Sequence, residues 1–278
     1  MKVVFVVLHY CQAEVTDDCV RSLLALDGEK EVVIVDNASP DNSGLVLQEK
    51  YASNNNIHII LNETNYGFAQ GNNTGFIFAK EQFKPDYIFV INNDTVIKDK
   101  HFITNLTSNP DYKQWHIIAP DILTFKGIHQ NPFKMKGLSK QDVIHTIWRK
   151  RISYLFYTFP LIHRIKSSDV VDRKGPYIQY RLENIVPHGA AVIFTRQWID
   201  KENFAFYPGT FMFYEEDLLF LYAQKKQYKI LYEPTLQISH MEDMSTNFAH
   251  KNTRERLKFQ SKCKIQSLKI ILKEIFQE

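Results

Sequence analysis

Four runs of β-branched and aromatic residues, KVVFVVLHY, EVVIVDN, NIHIILN and YIFVINND, follow one another within the first part of the 278-residue chain. Each reads as a strand buried on both faces. Such continuous apolar runs are the pattern of parallel sheets, whose faces are both covered by helices. Between them TDDCVRSLLAL and SGLVLQEKYAS read as helices, and GFAQGNNTGFIFAKEQF reads as a glycine-punctuated loop running into a helix. Strands alternating with helices of about ten to fifteen residues predict an α/β fold: a mostly parallel central sheet with helices on both faces.

The order changes after about residue 105. Residues 116–126 (HIIAPDILTFK) read as a further strand, and 127–185 as an irregular, basic and aromatic insertion of mixed periodicity. VPHGAAVIFTRQWI restores a strand leading into a helix. FYPGTFMFYEEDLLFLYAQKK supplies a loop and helix, and KILYEPTLQISH a late strand. In the tail, 251–278, Leu257, Leu268, Leu272 and Ile275 fall roughly on one face with lysines between them, which predicts a basic amphipathic helix. The expected division is a domain over 1–250, in two halves (1–105 and 106–250, the second carrying the 127–185 insertion), followed by the tail 251–278.

The net charge of +3 conceals a regional imbalance. Residues 133–181 carry eleven Lys/Arg against three Asp/Glu and residues 251–278 eight against three, whereas the remainder carries fifteen against twenty-five. The two basic segments suit phosphates or an anionic membrane surface, and the acidic remainder argues against a nucleic-acid binder. No apolar run is long enough to span a bilayer, and the first strand begins almost at residue 1, so a cytoplasmic protein is expected. Cys11, Cys19 and Cys263 are odd in number and scattered, the pattern of free thiols.

In a doubly wound sheet, ligands bind outside the carboxyl ends of the strands, near the point where strand order reverses. Three polar clusters fall at such ends: Asp36-Asn37 after the second strand, Asn65 to Asn73 after the third, and Asn92-Asn93-Asp94 after the fourth. Asp36 can accept hydrogen bonds from a base or ribose. The glycines from Gly67 onward allow close backbone approach, and the helix that follows favours negative charge at its start. That set describes a nucleotide, although neither a GxGxxG nor a GxxxxGK loop follows the first strand. Asp94 offers a hard carboxylate oxygen of the kind Mg²⁺ or Mn²⁺ takes alongside substrate phosphates. Further on, Glu215-Glu216-Asp217 stands behind the aromatic run Phe211 to Tyr214. A carboxylate held at a helix start beside an apolar wall can act as a general base. His240, at the end of the late strand, is a candidate further ligand for metal or phosphate.

IVDNASPDNS, NYGFAQGNNTG, INNDT, HGAAVIF, TFMFYEEDLLFLYAQKK and EPTLQISH, in that order and spacing, resemble the inverting family 2 glycosyltransferases of the GT-A fold. The likeness runs from Val3 to about Ser245 and is nearest to bacterial rhamnosyl- and galactofuranosyltransferases of capsule, O-antigen and cell-wall synthesis. The resemblance implies a Rossmann-like GT-A sheet and transfer of a sugar from a UDP- or dTDP-sugar to a hydroxyl of a lipid-linked glycan. It places Asp36, Asn37, Asn65, Gly67, Asn73 and Asn93 around the nucleotide, and Gly189 and Ala190 beside donor sugar and acceptor. It makes Asp94 the main ligand of Mg²⁺ or Mn²⁺, with His240 joining the metal or diphosphate, and Glu216-Asp217 the catalytic pair with Asp217 as base. Two positions depart from the pattern: Asn92 replaces the first acid of the metal motif, and Leu219 replaces an acid often found after the pair. The resemblance implies a peripheral enzyme on the inner face of the plasma membrane, with the 133–181 stretch and the tail facing lipid, and leaves a homodimer open. The alternative is a non-catalytic sugar-nucleotide-binding partner of a polysaccharide assembly complex, which Asn92 and Leu219 favour. A sugar nucleotidyltransferase would need a glycine-rich basic loop after the first strand, and LHYCQAEVT stands there instead.

Overall fold

A computed structural model describes residues 1–158, 177–241 and 253–277. The strands are β1 (Val3–His9), β2 (Lys30–Asp36), β3 (Ile57–Leu61), β4 (Tyr87–Asn92), β5 (Thr95–Val96), β6 (Ile117–Thr124), β7 (Leu182–Glu183), β8 (Ala191–Thr195) and β9 (Ile230–His240). Among the described residues they form one sheet in the order β3-β2-β1-β4-β8-β6-β9-β5, with β7 paired to β9. The β3-β2-β1-β4 half is parallel, β8 runs antiparallel between β4 and β6, and β6 and β9 are parallel. The strand order reverses between β1 and β4, so the carboxyl ends of those two strands flank a crevice that no crossover connection fills.

Both faces of β1 are buried, and alternate residues supply two cores. Val3, Phe5 and Val7 pack with Cys19, Val20 and Leu23 of α1 (Ala13–Leu24), Leu47 and Tyr51 of α2 (Ser43–Tyr51) and Phe102 and Leu106 of α4 (Phe102–Ser108). Val4 and Val6 pack on the opposite side with Phe76 and Ala79 of α3 (Gly67–Phe83) and Val143 and Ile147 of α5 (Lys140–Thr158). Trp198 of α6 (Arg196–Ile199), Leu218 and Leu219 of α7 (Glu215–Lys225) and Leu268 of α8 (Thr253–Ile270) complete that second core. Leu219 is therefore a core residue, which explains in packing terms why no acid occupies it. The period-2 alternation of a strand serves both layers at once, as a doubly covered sheet requires.

Three expectations change in detail. The glycine-punctuated segment is helical from Gly67 onward, and Gly71 and Gly75 lie where a Cβ would strike Leu8 and Val6 of β1. The glycines let α3 press against the sheet. The insertion contains a regular nineteen-residue helix, α5, while its 159–176 portion lies outside the described residues. The tail helix packs on the body of the fold, with Leu268 and Ile271 fully buried and Leu272 and Ile275 against the same core. All three cysteines are free and buried. Among the described residues no helix is long and apolar enough to cross a membrane.

Candidate active site

A cavity of about 310 Å³ opens at the β1/β4 switch point, lined by Leu8, Tyr10, Asn37, Asn92 and Asn93 from the strand ends and by Asn65, Gly67 and Phe68 from the start of α3. Its far wall is Phe211 and Met212, and its third side is α8, through Arg256, Phe259 and Gln260. Asn37 organises the near rim. Its Nδ2 donates to Asn65 Oδ1 at 3.0 Å and to the Gly67 carbonyl at 3.1 Å, and its Oδ1 accepts from the Tyr66 amide at 3.1 Å. Gly67 has φ +79°, and a Cβ there would collide with the Phe211 carbonyl oxygen. Only glycine fits that approach, which the Phe68 amide ties off by donating to the same oxygen at 2.7 Å.

Two residues expected at the nucleotide do not line the cavity. Asp36 turns its carboxylate to Ser39, which donates through both amide and hydroxyl, and its oxygens fill the space left by Gly44 on α2. Asn73 accepts from the amides of Ala205 and Phe206 at 2.9 and 3.0 Å and donates to the Phe206 carbonyl at 2.8 Å. Its amide is wholly engaged in fastening the 205–206 loop to α3. Asn93 does line the cavity while donating to Thr16 Oγ1 at 3.0 Å, which couples it to a buried group made of His9, Thr16 and Ser43.

Asp94 follows Asn93 into the short β5–β9 ladder, where Thr95 pairs with His240 and the Met241 amide donates to the Asp94 carbonyl at 2.8 Å. Asp94 Oδ1 and His240 Nε2 are thereby held 3.2 Å apart. His240 Nδ1 lies 2.7 Å from Gln130 Oε1, an acceptor, so in the neutral ring the proton sits on Nδ1 and Nε2 presents a lone pair to the carboxylate. Buried Asp94 Oδ1 has no hydrogen-bond partner among the described residues. Two facing acceptors fit a cation between them, and carboxylate plus imidazole is a recognised donor set for a divalent metal. Among the described residues no cluster of three or more His, Cys, Asp or Glu completes a protein-only cage. Asp94 and His240 thus suit an ion whose remaining ligands are phosphate and water.

A seam of side chains leads from this pair to the acidic start of α7. The His188 ring lies 5.9 Å from that of His240, and 5.3 Å from that of Phe133. Burial, with His240 beside it, pushes His188 down to about 3, so it stays neutral. Ala190 accepts from the Asn92 amide at 2.8 Å, and a Cβ on Gly189 would fall 2.8 Å from Glu216 Oε1. Gly189 and Ala190 therefore bridge the end of β4 to the carboxylate triplet. Lys134, next to Phe133, donates to Asp217 Oδ2 at 2.6 Å, while buried Asp217 Oδ1 has no partner among the described residues.

The triplet is aimed by an uncommon turn: Phe213 and Tyr214, both bulky, have φ of 74° and 68° immediately before α7. Left-handed backbone at such residues is strained and persists where the surroundings impose it. The three carboxyls then face different environments. Burial, followed by the nearby Glu216, pushes Glu215 up to about 8, so it is largely protonated at neutral pH. Glu216 is raised by burial as well. Burial also raises Asp217, opposed by the Lys134 ammonium. Asp217 alone of the three combines an ammonium partner with an oxygen left free to accept a proton.

Sequence reasoning missed Lys134, His188 and the α8 residues Arg256, Phe259 and Gln260. Lys134 and Arg256 lay within segments already marked as basic, but nothing in the spacing joins position 134 to 217.

Residues 4–112 match the family described as Glycosyl transferase family 2. The matched span runs from β1 past β4 and β5 and carries every strand-end cluster on the near side of the cavity. The hexosyltransferase Agl10 of low-salt glycan biosynthesis from Haloferax volcanii is 30% identical over 106 residues, covering 38% of this chain and 33% of that protein. A poly-beta-1,6-N-acetyl-D-glucosamine synthase from Staphylococcus epidermidis is 29% identical over 110 residues, covering 38% of this chain and 26% of that protein. The match thus spans a third or less of these curated relatives. Among solved structures, S. aureus TarS 1-349 superposes with a TM-score of 0.54 at 17% identity, over 87% of this chain and 60% of that one. Its complex with UDP-GlcNAc gives 0.54 at 17% identity, over 94% and 64%. The structural likeness establishes the fold, and the family match extends over residues 4–112 of the 278.

Proposed function

We propose that the chain transfers a sugar from a nucleoside-diphosphate sugar, a UDP- or dTDP-sugar, to a hydroxyl of a growing surface glycan, with inversion at the anomeric carbon. The observation that carries this reading is the cavity at the β1/β4 switch point, whose rim residues Asn92 and Asn93 run directly into Asp94 with its partner His240. The same rim connects, through the Asn92–Ala190 hydrogen bond and the Gly189–Glu216 contact, to the start of α7 at Asp217. Asp94, His240 and Asp217 lie next to the lining rather than in it. The TarS complex with UDP-GlcNAc supports a donor of this class.

The cavity of about 310 Å³ falls in the size range of small-molecule sites, with Asn37 and Asn65 shaping its rim and Phe68, Phe211 and Phe259 giving it apolar walls. A divalent cation held by Asp94 and His240 would neutralise charge on the departing diphosphate, and the imidazole donor favours Mn²⁺ over Mg²⁺. Asp217 accepts the proton of the acceptor hydroxyl at Oδ1 as that oxygen attacks the anomeric carbon, while Lys134 holds Oδ2 and fixes the carboxylate. The donor's glycosidic C–O bond breaks as the new one forms, and the electron pair leaves with the diphosphate. A hexose or deoxyhexose donor, and a lipid-linked acceptor, belong to this proposal.

Asp217→Asn keeps the shape and removes the base. Base catalysis is worth about 10²–10⁴ in rate, so transfer and slow donor hydrolysis should fall by that factor with donor affinity nearly unchanged. Wild-type turnover in this variant would remove Asp217 as the base, whereas donor binding without turnover in the unaltered protein would make the non-catalytic sugar-nucleotide-binding partner the better account.

A further inference from the structure

The 140–158 helix, α5, has two apolar faces, and among the described residues only one is covered. Val143 and Ile147 are buried against the core. On the other side Ile144, Trp148, Ile152, Leu155 and Phe156 are exposed by 38%, 60%, 48%, 55% and 38%. At helical spacing these five form one continuous stripe, since each lies four, three or one positions from its neighbour along the series. Exposed apolar residues scattered singly are ordinary, but a contiguous stripe marks an interaction surface.

The flanks of the stripe decide what covers it. Arg149 lies along one edge, and Lys140 and Arg151 along the other, and in the whole helix the only acid is Asp142. The core-facing side is anchored from α8: Arg254 donates to the Tyr157 and Thr158 carbonyls at 2.7 and 2.8 Å, and Lys258 lies 5.5 Å from the Tyr154 ring centre. α5 is thus a fixed element that holds its apolar stripe outward. A basic-edged stripe with Trp, Phe and Leu on a rigid helix has the chemistry of an interfacial helix lying in the headgroup plane of an anionic bilayer.

We propose that α5 docks the protein on an anionic lipid surface through the Ile144–Trp148–Ile152–Leu155–Phe156 stripe, with Arg149 and Arg151 on the phospholipid headgroups. Of the two segments the sequence expected to face lipid, the tail spends its apolar residues on the core, and the 133–181 stretch, through α5, carries the free face. The docking stands on this face alone and is independent of the reaction assigned to the crevice.

The test is sedimentation of the full chain with phosphatidylcholine vesicles, with and without phosphatidylglycerol, while recording tryptophan emission. The expected result is binding to the phosphatidylglycerol vesicles only, a blue shift that Trp148→Gln abolishes, and weakening by roughly tenfold or more in Ile152→Glu. Arg149→Ala and Arg151→Ala should each weaken binding by about fivefold, an effect that salt mimics. These side chains are solvent-exposed, so unchanged circular dichroism checks that the variants fold, and donor hydrolysis without vesicles should be unaffected. Absence of vesicle binding, or binding indifferent to Ile152→Glu, overturns the proposal. So does a concentration-dependent dimer that Ile152→Glu dissolves in a protein that ignores vesicles, which would assign the stripe to a second copy.

Discussion

At the level of single residues, the carboxylates at the start of α7 show how burial sorts groups of the same chemistry into different roles. Lys134 lowers an Asp217 that burial alone would raise further. Replacing it, as in Lys134→Met, should move the acid limb of the kcat/KM profile to higher pH, because the base then holds its proton longer. Activity should be lost most at low pH and partly recovered by alkali; an unmoved acid limb would separate Lys134 from the base. Glu215 makes a prediction about stability. Its carboxyl rises from 4.5 to about 8 on folding. The stability it contributes is complete below the unfolded value and is lost as pH rises through the folded one. Glu215→Gln has no proton to lose, so the urea midpoint of the variant should gain on that of the wild type between pH 5 and pH 8. A constant difference across that window would show that Glu215 is ionised in the folded protein.

At the level of elements, the strands were legible because burial on both faces writes itself into sequence as unbroken β-branched runs. The strand-end clusters were legible because Asn37, Asn65, Gly67 and Asn93 follow those runs directly. Side-chain aim was not. Asp36 and Asn73 carry the right chemistry at the right ends, yet Ser39 captures one and the 205–206 backbone the other. Such choices depend on partners as far as 133 residues away. The α5 helix was hidden for a different reason: with one apolar arc against the core and another facing outward, its hydrophobic residues show no single 3.6-residue stripe. Gly67 tests the element that frames the cavity. Gly67→Ala must place a Cβ against the Phe211 carbonyl at φ +79°, and should destabilise by about 1–3 kcal/mol in urea unfolding. A neutral substitution would mean that α3 and the 211–212 wall can separate freely.

At the level of the whole molecule, residues distant in sequence form one working edge, and the tail is part of it. α8 closes the third side of the cavity through Arg256, Phe259 and Gln260 while burying Leu268 and Ile271 in the core. Leu268→Ala should cost about 2–5 kcal/mol, as truncations of fully buried leucines do, and should weaken nucleotide binding because the same helix supplies the cavity wall. If stability fell and nucleotide affinity did not, the wall would be incidental to the donor. The resemblance seen in the sequence led to the sheet, the switch point and the acidic helix start. The contribution of α8 emerged only from the fold, because an amphipathic basic pattern fits a helix on lipid as well as one on protein.

The central claim is that one crevice joins a cation-assisted donor site at Asp94 and His240 to a base at Asp217. The measurement that tests it most directly is donor binding and hydrolysis across a panel of UDP- and dTDP-sugars, with and without Mn²⁺, in the wild type, Asp94→Ala and Asp217→Asn. The account predicts that one donor binds more tightly with Mn²⁺, that Asp94→Ala removes this gain, and that Asp217→Asn binds the donor normally but hydrolyses it about 10²-fold or more slowly. Donor binding indifferent to both Mn²⁺ and Asp94, with hydrolysis unchanged in Asp217→Asn, would contradict it.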